Sequence, residues 1–323
     1  MIVRTAQDVP ELQAEMAAWA HDTTGHGATG YFTTLFTAAG IHRLPTGPAF
    51  AGHTVPASVA RHLADTLDLA EAFYVTADMT ALAHHAARSL TDYTFTVEDL
   101  PAPAGLLVFQ DPPDDSDRNG VRRPVHAITW GPQRGTTAVD YWTRHYTAMY
   151  PVPHTDTRPR PHPTRPEHRL HPVHTPHHHD FALSAALHPG SPVDAAFGDH
   201  NAHTLRLLAA TWLLMGQTIA THTTRDIPRA ARRRIARLTP RTPARVRVIE
   251  LRHARTSGDG AEENTPGTRA YQHRWVVRGH WRRYRAPRFS DEVRARPIWI
   301  GDHIAGPPTA PLIGGQRVHV LKR

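Results

Sequence analysis

The chain has 323 residues, with 37 Lys+Arg against 29 Asp+Glu, 26 His, 29 Pro and no Cys. A hydrophobic share of 40% is enough for a sizeable core in one large domain or two ordinary ones. The lack of cysteine excludes disulfides, Cys-ligated zinc, iron–sulfur clusters and thiol nucleophiles.

In chain order, Met1 to Asp8 lacks the basic start and apolar core of a secretory signal. No apolar run is long enough to span a bilayer, so a cytoplasmic protein with no membrane partner is expected. Residues 9–22 predict a helix with Leu12, Met16 and Trp19 on one face, and residues 30–40 predict a second. Between them, Gly25-His26-Gly27-Ala28-Thr29-Gly30 has the glycine spacing of a dinucleotide site. That motif needs a buried strand before it and a ribose-binding acid about 20 residues on. Here a helix precedes it and no Asp or Glu lies between Asp22 and Asp65, so it reads as a helix–helix turn.

Thr54-Val55-Pro56 opens a helix with Val59, Leu63, Leu67 and Leu69 at helical spacing. Residues 77–90 predict another, whose adjacent His84 and His85 point about 100° apart and read as a rim pair. Leu106 to Phe109 and Val125 to Trp130 read as paired strands. The acidic stretch 111–117 between them lacks the Gly and terminal Glu of a calcium loop and reads as a solvated turn. Eight prolines in residues 151–176 exclude helix and central strand, so 151–190 is expected to be an exposed Pro/His-rich connector. Ser191-Pro192-Val193-Asp194 has the pattern of a helix start, and the apolar run 205–220 reads as a buried central helix. Asp226-Ile227-Pro228 starts a helix over 229–238, stopped by Pro240 and Pro243. Strands follow at 246–251, 271–284, 298–300 and 318–321, a small and mostly antiparallel sheet.

Charge is spread unevenly. Residues 1–150 carry 9 basic and 16 acidic side chains, residues 151–200 carry 4 and 5, and residues 201–323 carry 24 and 8. Asymmetry of that size points to a polyanionic partner, RNA or DNA. The competing reading is that an acidic N-terminal half docks on a basic C-terminal half. Lys322 is the sole lysine, so the preference for arginine reflects GC-rich coding more than bidentate phosphate recognition.

Two basic segments carry the candidate nucleic-acid contacts. On the helix over 229–238, Arg229, Arg233 and Arg237 recur every four residues with Arg232 beside them, opposite Ala231, Ile235 and Leu238. Like charges at that spacing repel unless an anion lies alongside, whether phosphate or docked carboxylate. In the strand over 271–284, alternation sends Trp275, Val277, Gly279 and Trp281 to one face, suited to a core. The other face holds Arg274, Val276, Arg278, His280, Arg282 and Tyr284, mostly cations beside an aromatic ring as phosphate binding and base stacking require.

Two further constellations compete. His273, His280 and His303 are candidates for the acid and base of a metal-independent nuclease, with nearby arginines for the transition-state charge. In the connector, His174, His177, His178 and His179 could capture a divalent ion, but a Pro-broken loop offers no fixed geometry and a polar linker is the preferred reading. No motif calls for a metal or another cofactor, and oligomeric state is left open.

The stretches Trp212 to Gln217, Val246 to Arg252, His273 to Arg282 and Pro297 to Ile300, with Gly306-Pro307, carry a resemblance. Over about residues 200–323, and more faintly at 101–130, the chain resembles a family of actinobacterial and actinophage mobile-element proteins with a C-terminal HRWxVxGHWR motif. The resemblance implies a mobile-element accessory role and brings no activity with it. This chain departs from the family at Gly306 to Pro311, where an acidic residue often stands.

The expectation is an α+β protein in three parts. An acidic, mainly helical domain with a β hairpin spans 1–150, the connector spans 151–190, and a basic helix-plus-antiparallel-sheet domain spans 191–323. The expected function is nucleic-acid binding as an accessory protein of a mobile element or phage-like locus. A toxin-type nuclease and a structural protein with charge-complementary halves are the alternatives.

Overall fold

The computed structural model describes residues 5–24, 27–38, 55–91, 93–112, 126–133, 136–143, 171–172, 185–187, 189–190, 192, 199–239, 245–252, 274–305 and 307. Two compact units divide the chain, Met1–Arg252 and His253–Arg323. In the first, the order is α1 (Val9–His21), α2 (Ala28–Ala38), α3 (Val55–Leu69), β1 (Glu71–Val75), α4 (Ala77–Ser89), β2 (Gly105–Phe109), β3 (Ala127–Gln133) and β4 (Thr136–Thr143). It continues with β5 (His171–Pro172), β6 (Ala185–Leu187), α5 (Asp199–Met215), β7 (Ala220–Asp226), α6 (Arg229–Leu238) and β8 (Arg245–Leu251). The second unit holds β9 (Trp275–Val277), β10 (His280–Arg282), α7 (Asp291–Ala295), β11 (Ile298–Ile300) and β12 (His303–Ala305). The protein is α+β, as its composition and periodicity indicate.

The first unit is built on a mixed sheet of order β5-β4-β3-β2-β1-β8-β7, with β6 also on β4. The centre is parallel: β1 pairs with β2 (Phe73 opposite Leu107) and with β8 (Tyr74 opposite Val248). The flanks are antiparallel. Alternation along β1 sorts the core into two layers. Ala72 and Tyr74 join Leu106, Val108, Val246 and Val248 under α1, α2 and α3. Phe73 faces the other way, stacked 5.7 Å from Trp130, which meets Trp212 of α5 at 5.3 Å.

Local chemistry explains the junctions. Gln13 of α1 is fully buried and its amide donates to Leu67 O and Ala70 O, both at 2.8 Å, satisfying carbonyls where α3 ends and β1 begins. Gly105 sits opposite Trp130 in the register, and a Cβ there would lie 2.1 Å from the indole, so the close approach requires glycine. Trp130 Nε1 donates to Ala102 O at 2.9 Å, which lets the indole be buried whole. Among the described residues, no helix is long and apolar enough to cross a membrane.

Several expectations change. The strands β1 and β7 were not legible: β1 is a short apolar run between two helices, and β7 reads as polar outside its first residue. The helix expected from Ser191 is not formed at Pro192, which bridges to Thr94; α5 begins at Asp199. Leu69, two residues from Leu67, falls on the far face of α3 and is 66% exposed. His84 is buried against the Phe109 ring at 6.3 Å and is no rim residue, whereas His85 is exposed. Residues 191–252 do not share a domain with the C-terminal strands, because β7 and β8 close the sheet begun by β1 and β2; the boundary falls after Arg252. Parts of the expected connector, β5 and β6, pair on β4, with Pro172 at the sheet edge where a missing N–H is tolerated. The rest of its proline-rich stretch, the acidic turn 113–117 and the strand expected at 318–321 lie outside the described residues.

Candidate nucleic-acid interface

The first basic element is α6. Pro228 stands at its start, and Ile227, Ala231 and Ile235 bury an apolar seam against Ala14 of α1. That packing turns Arg229, Arg232, Arg233 and Arg237 to solvent as the four-residue spacing requires. Leu238, expected on the apolar face, is 42% exposed. Arg234, absent from the sequence-derived set, grips Glu11 of α1 with two hydrogen bonds, Nε to Oε1 at 2.5 Å and Nη2 to Oε2 at 2.7 Å. Glu11 keeps only 11% of its side chain exposed, and the bonded carboxylate holds the Arg234 pKa above its ordinary value. The signal was a carboxylate set among Val9, Leu12 and Met16 on a helix face that must be buried. Elsewhere in the same unit, Arg247 of β8 pairs with Glu71 of β1 at 2.8 Å and lies over the Phe73 ring.

The second basic element lies in the C-terminal unit and is not one strand. Residues 275–277 pair with 303–305 and residues 280–282 with 298–300 in one unchanged antiparallel register. The ladder breaks at Arg278-Gly279 and Gly301-Asp302, where the Gly279 N–H donates to Asp302 Oδ1 at 2.5 Å. Gly279 has no room for a side chain, since a Cβ would lie 2.5 Å from the Trp299 ring. Trp299 is buried and meets Trp281 edge-on at 5.3 Å. Trp281 itself is half-buried, short of the fully buried place expected of it, because a two-stranded ladder covers only one side of a ring.

Arg278, His280 and Arg282 are exposed, and Arg274 and Tyr284 are half-buried. The Arg282 guanidinium lies 5.0 Å over the Tyr284 ring. Beyond Arg285, a turn in which the Phe289 N–H donates to Ala286 O brings Phe289 to 4.6 Å from Tyr284, with Arg288 5.1 Å over Phe289. Sequence reasoning ended at Tyr284; the Arg288-Phe289 dipeptide after Pro287 was the available signal for the rest.

The histidine candidates are not drawn together by this register. His280 stands opposite Ile300 in one ladder and His303 opposite Val277 in the other, so neither register pairs the two histidines. Each ring pairs through Nδ1 with the carbonyl two residues before it, Arg278 O and Gly301 O. His273 lies outside the described residues, as do His174, His177, His178 and His179.

The unit boundary redistributes the charge. Residues 1–252 hold 24 basic and 23 acidic side chains, and residues 253–323 hold 13 and 6. The excess thus sits in the smaller unit. No protein-family model and no curated protein matches the chain. Among solved structures, it is similar to the crystal structure of AcrVA2, at 13% identity and a TM-score of 0.34 over 93% of each chain, a likeness too slight to carry fold or function.

Proposed function

We propose that the protein is a nucleic-acid-binding accessory protein of a mobile element or phage-like locus, with its phosphate contacts on the C-terminal unit. The observation that carries this is the run of exposed Arg278, His280 and Arg282, beside the Tyr284 ring, on a unit with 13 basic and 6 acidic residues. Arg229, Arg232, Arg233 and Arg237 of α6 form a second solvent-facing cationic stripe. The resemblance at residues 273–282 supports the mobile-element setting.

A charge-complementary role is favoured for part of residues 201–252 by the Glu11–Arg234 and Glu71–Arg247 pairs, which engage two of that segment's cations inside its own unit. Fluorescence anisotropy with RNA and duplex DNA at several salt concentrations tests the proposal. Binding should weaken linearly in log affinity against log salt. Absence of salt-dependent binding to either nucleic acid would overturn it.

A further inference from the structure

We infer that the Tyr284–Phe289 turn is a stacking platform for the bases of a single-stranded nucleic acid. This rests on the proposed nucleic-acid function and names its substrate class. The two rings lie 4.6 Å apart with planes tilted by 46°, and both are half-buried, so each keeps surface toward solvent. Arg282 covers one ring and Arg288 the other, giving the row Arg282–Tyr284–Phe289–Arg288. A guanidinium is planar, so it stacks on an aromatic face while its N–H edge remains able to bond phosphate. The row therefore offers base-stacking planes and phosphate donors side by side. Arg278 and Arg285, both exposed, add cations along the same segment.

Duplexes hide their base faces inside the helical stack and are read through groove edges by an inserted helix or ribbon. Exposed aromatic planes flanked by cations serve strands whose bases are free, and every base has a face to stack. The turn is also held in place. Phe289 is fixed by its N–H bond to Ala286 O, and Ser290 next to it caps α7 through the Val293 N–H. A platform held before binding loses less on ordering than a mobile loop.

The test uses the full chain and four labelled probes of equal length: single-stranded RNA, single-stranded DNA, an abasic DNA strand and duplex DNA. At least one base-bearing single strand should bind about fivefold to a hundredfold tighter than both the abasic strand and the duplex, the range expected for base–aromatic stacking. Tyr284→Leu and Phe289→Leu should each shrink that ratio while leaving the slope of log affinity against log salt unchanged. Tryptophan-fluorescence melts identify variants that stay folded, and the wild-type comparison with the abasic strand stands without any variant. Equal affinity for base-bearing and abasic strands, or tighter binding of duplex, would overturn the platform and leave the phosphate-binding function in place. If wild type binds none of the four probes, both fall.

Discussion

Residues 201–252 and 253–323 read alike as sequence, each rich in arginine, yet they end in different electrostatic surroundings. The first segment holds 11 basic and 2 acidic side chains and folds, through β7, α6 and β8, into the unit that contains the acidic N-terminal residues. Its unit is nearly neutral, and Arg234 and Arg247 are engaged by Glu11 and Glu71. The second segment keeps its excess of seven positive charges and presents Arg278, Arg282, Arg285 and Arg288 to solvent. What a polyanion meets is the field of a folded unit, and a sum over a sequence window is a poor proxy for it.

The contrast extends to the cores, and the largest expected effect tests it there. Trp130 is fully buried between Phe73 and Trp212, so Trp130→Ala should cost about 3–5 kcal/mol in denaturant unfolding. Trp281 is half-buried against Trp299, so Trp281→Ala should cost about 1–2 kcal/mol. Equal costs would erase the difference in depth between the two cores.

Binding sharpens the comparison next. The double variant Arg278→Ala/Arg282→Ala should flatten the log affinity–log salt slope by about two units, one for each phosphate contact. Arg232→Ala/Arg233→Ala on α6 should change it by less than about one. A larger loss from the α6 pair would move the interface to the first unit.

A smaller effect is expected at the Glu11–Arg234 pair. Glu11→Gln removes the charge that Arg234 grips with two bonds, so the thermal midpoint should fall while the salt slope of binding stays as in wild type. Unchanged stability, or a changed slope, would mean that Arg234 serves the ligand.

The smallest effect belongs to His62 of α3. Burial lowers its pKa below 6.5, with Asp65 opposing the shift. Just below pH 6.5 the unfolded chain therefore binds more protons than the folded one, so stability rises with pH through that window and falls on acidification. His62→Gln should flatten this part of the midpoint–pH curve; an unaltered curve would assign the acid sensitivity elsewhere.

Much of the helical structure was legible because it is local. The apolar periodicity of α1, α3 and α5, the proline ahead of α6 and the turn residues between β2 and β3 are properties of short windows. The short strands were less so. β1 is five residues long and flanked by helices, and β7 alternates too little to announce itself. In the candidate interface, Arg278, His280 and Arg282 were found from alternation alone, but the break at Gly279 was not, since it depends on how closely Trp299 approaches across the ladder.

The sequence by itself determined the fold class, most of the helices, the pairing of β2 with β3 and the positions of the basic segments. Only the tertiary structure decided the strand order, the unit boundary after Arg252 and which arginines are engaged within the chain. The reason is separation along the chain: Glu11 and Arg234 lie 223 residues apart, and β1 must be joined by β8 before either the sheet or the charge balance is set. Periodicity acts over a few residues, whereas ion pairing and parallel strand pairing act between segments whose encounter no local pattern encodes.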